Sequence, residues 1–330
     1  MKSRTEIELS LFEVQTLDPP PPPLKERLRS IEWSFSRRNT AEQCPQKYYL
    51  DYYGSSKRHA ATQANKDILR QLGNLKNRYE RTGEIVHAAI ANYFRLAQKG
   101  IHQSTNSLLR GAKSALADNI ATSQKLQSET AAGSVPLGAL VEFLNEPDKA
   151  AQLYEDAGAR MCAALTNFAT HDTYAKVRAA GASAGAAIER MFKLSSPCRV
   201  AGVVDLAVSP DMKPAILDWK SGKETVSEDD SLQLTAYTLW GSQHFSRPPE
   251  AISIYKAFLG AGTLVRFPLT AASVAKGKRR ILQDLERMVE MHPYGVDGRR
   301  NAFTPCAQRR VCVLCPYLQQ CPEGKETVYD

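Results

Sequence analysis

The sequence predicts an α/β protein with a helical insert and a cysteine-rich C-terminal segment. Residues 101–193 are rich in Ala, Leu, Gln and Lys, with breaks at 133–136 and at Pro147, which predicts helices and no strands. Residues 199–269 instead contain short segments in which apolar and polar residues alternate, as they do in β-strands. The 330 residues are 43% hydrophobic and 24% charged, a composition that excludes disorder throughout and supplies a sizeable core.

One domain is expected after a short leader. The consecutive prolines at 19–23 favour an extended polyproline segment, so residues 1–30 are predicted to form a flexible leader. Residues 31–330 then form a single domain. Its parts are a helical insert at 100–193, a sheet core at 194–292, and a cysteine-rich tail at 293–330 that packs on the helix of Cys44.

Hydrophobic periodicity places the remaining helices and strands. Helical patterns cover residues 41–53, 67–94, 231–240 and 272–291, and strand patterns cover 199–208, 215–220, 251–258 and 263–269. The first two strands are separated only by the turn residues 209–214, so they are predicted to form a hairpin.

Charge and motif content bound the function. Lys and Arg number 43 against 35 Asp and Glu, and the resulting net charge of +8 favours a polyanionic partner such as DNA. The chain lacks the phosphate-loop motif GxxxxGK[ST], which excludes an ATPase motor of that type. It also lacks a long apolar stretch, and Glu6 and Glu8 lie where a signal peptide would be apolar. We therefore expect a cytoplasmic protein with no membrane partner and with reduced thiols.

The predicted hairpin brings two acidic residues together. If its turn is centred between Asp211 and Met212, Asp205 lies opposite Asp218, with the Cβ atoms about 5 Å apart on one face. Lys220 follows Asp218 by two residues and shares that face. Carboxylates this close repel each other, and Mg²⁺ or Mn²⁺ relieves the repulsion while the lysine orients an attacking water. The set predicts phosphodiester hydrolysis; a surface hairpin with an Asp–Lys ion pair is the alternative.

These residues carry a resemblance to a known family. The segment GVVD, which ends at Asp205, and the segment ILDWKSG, which contains Asp218 and Lys220, resemble the catalytic core of the PD-(D/E)xK nuclease superfamily. Within it they are most similar to the RecB-like branch, because Gln233 and Tyr237 match its QxxxY motif. The resemblance implies a mixed central sheet flanked by helices, with Asp205, Asp218 and Lys220 as catalytic residues.

A histidine extends the resemblance. His87 ends the segment GEIVH, which matches the GxxxH motif of the same branch, whereas a lone histidine on an apolar helix face is usually a core residue. The metal ligands implied are His87, Asp205, Asp218 and the backbone carbonyl of Trp219. Gln233 and Tyr237 are implied to bind the DNA strand. Many members also place an acidic residue before the first metal-binding aspartate, and Glu189 is the candidate here.

The cysteines form a second group of possible metal ligands. Cys312, Cys315 and Cys321 are clustered near the C-terminus, and Cys44 lies far upstream, so the four thiols can join the two ends of the fold. Their chemistry suits either structural Zn²⁺ or a [4Fe–4S] cluster. The resemblance to CRISPR-associated RecB-like exonucleases and to nuclease domains of helicase–nuclease complexes implies iron–sulfur. Cys306 is a spare thiol that can replace a ligand. Buried positions are expected for Cys162 and Cys198.

Basic and aromatic residues offer further contacts to DNA. The basic runs, which are expected to bind phosphates, are Lys276, Lys278, Arg279 and Arg280; Arg299 and Arg300; and Arg309 and Arg310. The four tyrosines at 48, 49, 52 and 53 can stack on unpaired bases, although a place in a helix core is the competing interpretation.

The sequence and the resemblance together predict a Mg²⁺- or Mn²⁺-dependent deoxyribonuclease. The expected activity is exonucleolytic trimming of single-stranded or frayed ends, in repair and recombination, phage or plasmid DNA processing, or CRISPR-type spacer processing, with a helicase or integrase as a partner. Two alternatives stay open. One is a catalytically silent DNA-binding or assembly subunit, and the other is a zinc-stapled interaction protein.

Overall fold

The structure is a computed structural model that describes residues 23–54, 63–128, 135–195, 198–209, 213–222, 224, 230–292 and 303–330. Its helices in chain order are α1 Leu24–Ser30, α2 Phe35–Gln43, α3 Pro45–Tyr49, α4 Gln63–Leu72, α5 Arg78–Ala97, α6 Thr105–Ser128, α7 Glu142–Asn145, α8 Pro147–Thr170, α9 Ala175–Gly181, α10 Asp230–Phe245, α11 Ala271–Glu290, α12 Arg309–Cys312 and α13 Pro322–Tyr329. Among these described helices, none combines the length and the hydropathy that a membrane-spanning segment needs.

A single mixed sheet contains the six described strands. They are β1 Glu32–Trp33, β2 Ala187–Leu194, β3 Arg199–Val208, β4 Ala215–Lys220, β5 Ser253–Phe258 and β6 Thr263–Phe267. The spatial order is β1-β3-β4-β5-β6, and β2 pairs with β3. The pairs β1–β3 and β4–β5 are parallel and the other three are antiparallel. This sheet with flanking helices confirms the predicted α/β class.

Each face of the sheet is covered by its own apolar core. Along β4, Ile216 points into a core formed with α10 and α11, whereas Leu217 and Trp219 point into a core formed with α5, α6 and α8. Trp219 is 2% exposed and packs against Phe94 and Phe168. The alternation along a half-buried strand therefore leaves Asp218 and Lys220 on the α10 side.

Two predicted helices are each divided in the structure. The pattern at 41–53 is interrupted at Cys44, where Pro45 begins α3 and the Cys44 thiol accepts a hydrogen bond from the amide of Lys47 at 3.4 Å. The pattern at 67–94 is divided into α4 and α5. Asn77 starts α5 with a capping box in which Glu80 is the reciprocal partner. A capping residue fixes the start of a new helix more strongly than hydrophobic periodicity continues the old one.

The prediction of no strands within 101–193 is wrong, because β2 begins at Ala187. Its sequence AIERMFKL hides the alternation because β2 lies at an edge of the sheet and buries only one side chain, that of Phe192. Residues 24–30 of the predicted leader form α1, which packs on α11 and donates a hydrogen bond from Arg27 to the carbonyl of Val289 at 3.4 Å. The proline run at 19–22, the turn centre at 211–212, and Arg299 with Arg300 lie outside the described residues.

Two helical glycines should respond oppositely to substitution by alanine. A Cβ at Gly277 of α11 would lie 2.1 Å from the buried Oγ1 of Thr235 on α10, whereas a Cβ at Gly111 of α6 meets no atom within 4 Å. We expect Gly277→Ala to destabilise the fold by about 1–3 kcal/mol through overpacking. Gly111→Ala should stabilise it by about 0.5–1 kcal/mol through helix propensity. Urea unfolding of both variants tests this contrast, and equal effects would contradict the close packing of α10 on α11.

Candidate active site

The register of the β3–β4 hairpin is the predicted one. The paired residues are Leu206 with Leu217, Ala207 with Ile216, and Val208 with Ala215, which continues to Asp205 opposite Asp218. The described ladder ends at Leu206, and the two strands diverge there. Asp205 Oδ2 accepts a hydrogen bond from the Trp219 amide at 2.7 Å, so a carboxylate replaces a backbone acceptor at the point of divergence. Asp205 and Asp218 are therefore neighbours, but their backbones are not paired in the described ladder.

Strand β2 adds a third carboxylate. The pairs Ile188–Leu206 and Arg190–Val204 place Glu189 opposite Asp205. Glu189 has a φ of +47°, a left-handed conformation that glutamate rarely adopts. Such backbone strain costs about 1–3 kcal/mol and is concentrated at functional sites. The strain therefore lies at Glu189, which stands beside Asp205 in what we call the acidic row, the carboxylates of Glu189 and Asp205.

His87 reaches this row from α5. Its Nδ1 lies 3.3 Å from Asp205 Oδ1 and 3.7 Å from Glu189 Oε1, and its Nε2 lies 3.2 Å from the carbonyl oxygen of Trp219. One ligand atom from each of His87, Glu189 and Asp205 lies within 4.8 Å of the others. One nitrogen and two carboxylates form a donor set that a divalent cation can use, and the Trp219 carbonyl lies at the other nitrogen of the imidazole.

The electrostatics of His87, Glu189 and Asp205 also favour a bound cation. Burial lowers the pKa of His87, but the charges of Asp205 and Glu189 outweigh burial and raise that pKa to about 10. Burial raises the pKa of Asp205, which the imidazolium opposes. The buried carboxylate of Asp205, next to the half-buried Glu189, therefore requires a positive charge, and without a metal the proton on His87 supplies it.

Asp218 and Lys220 belong to an adjoining ring of hydrogen-bonded side chains, which Gln233 and Tyr237 complete and which we call the lysine ring. Lys220 Nζ lies 2.8 Å from Asp218 Oδ2 and donates to Gln233 Oε1 at 3.1 Å. Gln233 Nε2 donates to the Tyr237 hydroxyl at 2.8 Å, and that hydroxyl donates to Asp218 Oδ1 at 3.4 Å. Burial, and then the charge of Asp218, raises the pKa of Tyr237 well above its ordinary value, so its hydroxyl keeps the proton that it donates.

The structure thus divides the predicted residues into two adjacent groups. His87 and Asp205 lie together with Glu189 and the Trp219 carbonyl, while Asp218, Lys220, Gln233 and Tyr237 form the ring. The sequence pattern predicts helix where edge strand β2 lies, so it does not place Glu189 beside Asp205. The signal that finds it is its position opposite Asp205 once β2 is paired with β3.

The cysteine tail is folded against α3. Five cysteines line one small cavity: Cys44, Cys306, Cys312, Cys315 and Cys321. Asn145 of α7 donates to the carbonyls of Val313 and Cys315 at 2.9 and 3.0 Å, and Gln46 accepts a hydrogen bond from the Cys321 thiol at 3.1 Å. Burial raises the pKa of Cys315 to about 12. The thiols are brought together in a setting where a metal or cluster is needed to hold them ionised.

The tyrosines at 48, 49, 52 and 53 and the basic residue Arg309, all considered above as contacts to DNA, make structural contacts within the protein. Tyr48, Tyr49 and Tyr53 are at most 9% exposed and belong to the apolar core, so they do not offer free faces to bases. Tyr52 is half-buried with the Arg37 guanidinium 4.5 Å from its ring centre. In the last basic run, Arg309 donates to the carbonyl of Val328 and ties α12 to α13.

A family model described as the PD-(D/E)XK nuclease superfamily matches residues 32–322, a span that contains both groups of the site and the cysteine cluster. No curated protein matches the chain.

Cation binding at the acidic row should release a proton. Because His87 has a pKa of about 10, it must lose its proton to bind a metal, so affinity for Mn²⁺ should rise by about tenfold per pH unit from about pH 7 to 9. Calorimetric titrations at three pH values, each in two buffers of different ionisation enthalpy, measure both the affinity and the proton release. His87→Gln should flatten the dependence, whereas His102→Gln, at an exposed position on another segment, should keep it. A pH-independent affinity in the unaltered protein would contradict the assignment.

Proposed function

The chain belongs to the PD-(D/E)XK nuclease superfamily, and we propose that it is a Mg²⁺- or Mn²⁺-dependent deoxyribonuclease of the RecB-like type that trims single-stranded or frayed DNA ends. The observation that carries the proposal is the convergence of His87, Glu189 and Asp205 within 4.8 Å beside a lysine ring. The proposed setting is DNA repair and recombination, phage or plasmid DNA processing, or spacer processing, with a helicase or integrase as partner.

The donor set supports the choice of metal. His87, Glu189 and Asp205 would hold the cation, with the Trp219 carbonyl and Asp218 as further oxygen donors. Carboxylate and carbonyl oxygens suit Mg²⁺ and Mn²⁺, and the imidazole nitrogen favours Mn²⁺ as the transition metal of the two. When bound, such an ion polarises a phosphoryl oxygen and lowers the pKa of a coordinated water.

The ring supplies a positioned cation of the protein's own. Asp218 and Gln233 fix the ammonium of Lys220 from two sides, at 2.8 and 3.1 Å. Held there, the ammonium can orient an attacking water and neutralise the charge that develops on the phosphate during in-line displacement. Gln233 and Tyr237 present an amide and a hydroxyl beside it, which can orient the DNA strand. The intact ring favours an enzyme over a catalytically silent subunit.

The arrangement of the cysteines along the chain supports an iron–sulfur cluster over zinc, because three clustered cysteines and one remote cysteine resemble the pattern of iron–sulfur nucleases of the RecB-like branch. Five cysteines line one shared cavity, in which the Cys306 thiol hydrogen-bonds with the thiols of Cys44 and Cys312. We propose Cys44, Cys312, Cys315 and Cys321 as the ligands of the cluster.

Cleavage should depend on one residue from each group. We expect Asp205→Asn, which removes a metal ligand, and Lys220→Met, which removes the positioned ammonium, each to lower the rate by about 100-fold or more. The measurement is cleavage of end-labelled single-stranded and double-stranded DNA with Mg²⁺, Mn²⁺ or EDTA. Glu84→Gln and Lys113→Met change exposed residues of the same types of charge on α5 and α6 and should cut normally. Normal cutting by Lys220→Met would overturn the mechanism.

Loss of one cluster ligand should be visible in the metal content. Anaerobically purified protein should contain about four iron and four sulfide per chain, and Cys315→Ser should lose most of both and melt at a lower temperature. Cys162→Ser alters a cysteine of α8 outside the cavity and should keep the full content. Stoichiometric zinc without iron would reject the cluster and leave the nuclease proposal standing.

A further inference from the structure

We propose that an unpaired DNA strand runs from the metal site along one groove that passes Phe35 and ends at an arginine cluster between α2 and α11. The inference rests on the proposed nuclease function and adds the path of its substrate. It is built from two concavities of the surface that share Phe35 as a lining residue.

The first concavity adjoins the lysine ring. It has a volume of about 450 Å³, and Gln233 and Tyr237 form one of its walls. Strands β1 and β4 pair with the two ends of the same edge of β3, so the described ladders leave the middle of that edge open. The floor is apolar and accessible: Met191 is 69% exposed and Val203 is 38% exposed. Exposed apolar side chains at this position offer surfaces against which the faces of bases can be buried.

The second concavity continues beyond Phe35. It has a volume of about 900 Å³ and is bounded by α2, by the start of α5 and by the α12 segment of the cysteine tail. Its lining mixes aromatic and polar side chains, among them Asn39, Gln43, Tyr79 and Arg310. Tyr79 is 57% exposed and accepts the guanidinium of Arg78 against its ring at 4.5 Å. This groove therefore presents flat surfaces and hydrogen-bonding groups along its length.

Positive charge is concentrated at its rim. The carboxylate of Asp284, almost fully buried, contacts Arg38 and Arg280 at 3.5 Å each and also contacts Arg287. Glu42 contacts Arg38 at 2.7 Å and Arg287 at 3.7 Å. Three guanidiniums face two carboxylates, and the side chains of Arg280 and Arg287 are 41% and 54% exposed. The excess charge is available to phosphates.

An unpaired strand fits this sequence of surfaces better than a duplex does. A duplex exposes only base edges in its grooves, whereas an unpaired strand exposes base faces to an apolar floor and phosphates to a basic rim. The groove also starts at the ring that holds Lys220, so the strand would be held on one side of the scissile phosphate.

The test is binding of a fluorescent 30-nucleotide single strand in EDTA, measured by anisotropy over a series of salt concentrations. Met191→Glu should weaken binding by about fivefold or more, because it removes an apolar surface and adds a negative charge that repels phosphates. Arg280→Gln/Arg287→Gln should reduce the salt slope by about 1.4, at about 0.7 per lost phosphate contact. The matched controls are Leu137→Glu, at a residue 80% exposed elsewhere, and Arg110→Gln/Arg160→Gln, at exposed positions of α6 and α8 that line neither concavity and belong to no basic run.

Hydrolysis of the small diester bis(p-nitrophenyl) phosphate separates the two proposals. If the groove is right, the groove variants lose more DNA cleavage than small-diester cleavage, and the controls lose neither selectively. If the groove variants bind the strand as tightly as the controls do and the diester is still hydrolysed, the groove proposal is wrong and the nuclease proposal stands. A protein that binds the strand along the groove but hydrolyses neither substrate would instead reject the nuclease function.

Discussion

The divergence of β3 and β4 is the constraint on which the site depends. Where the ladder ends, the Asp205 carboxylate accepts the Trp219 amide and so stays inside the protein at 5% exposure. A buried carboxylate needs a positive partner, and His87 of α5 and the strained Glu189 of β2 are both drawn to this point. The hydrogen bond from the Trp219 amide to the Asp205 carboxylate thus links β4 to β3, and His87 of α5 and Glu189 of β2 lie beside the same carboxylate.

The same divergence separates the group of His87, Glu189 and Asp205 from the lysine ring. Residue 219 turns its carbonyl toward His87 and its amide toward Asp205, while its neighbours Asp218 and Lys220 face α10. Because the indole of Trp219 is anchored between Phe94 and Phe168, the backbone at this point has little freedom. The packing of one core thus holds both the group of His87, Glu189 and Asp205 and the lysine ring in place.

The cysteine tail and the helices near the N-terminus stabilise each other in a comparable way. The tail buries Phe303 and Tyr317 in the core on the α10 side, and hydrogen bonds with Asn145 on α7 and Gln46 on α3 add to its anchorage. It also forms one wall of the groove that starts at the metal site. Whatever the cysteines bind therefore bears on the shape of a surface that DNA would contact.

The sequence by itself determined the hairpin and its register, because a short turn and alternating strands leave one pairing that opposes Asp205 and Asp218. It also determined the helix that joins Gln233 to Tyr237, because residues four apart share a helix face. Motif resemblance added His87, whose role no local pattern indicates.

Only the tertiary structure decided which side chains meet. Edge strand β2 buries a single side chain, so its sequence reads as helix, and Glu189 becomes visible only through its pairing with β3. The end of the β3–β4 ladder at Leu206 is likewise a tertiary feature, and beyond it Asp205 contacts His87 while Asp218 contacts Lys220 and Tyr237. Local sequence specifies periodicity and turns, whereas the distance between residues remote in the chain is set by how the two cores pack.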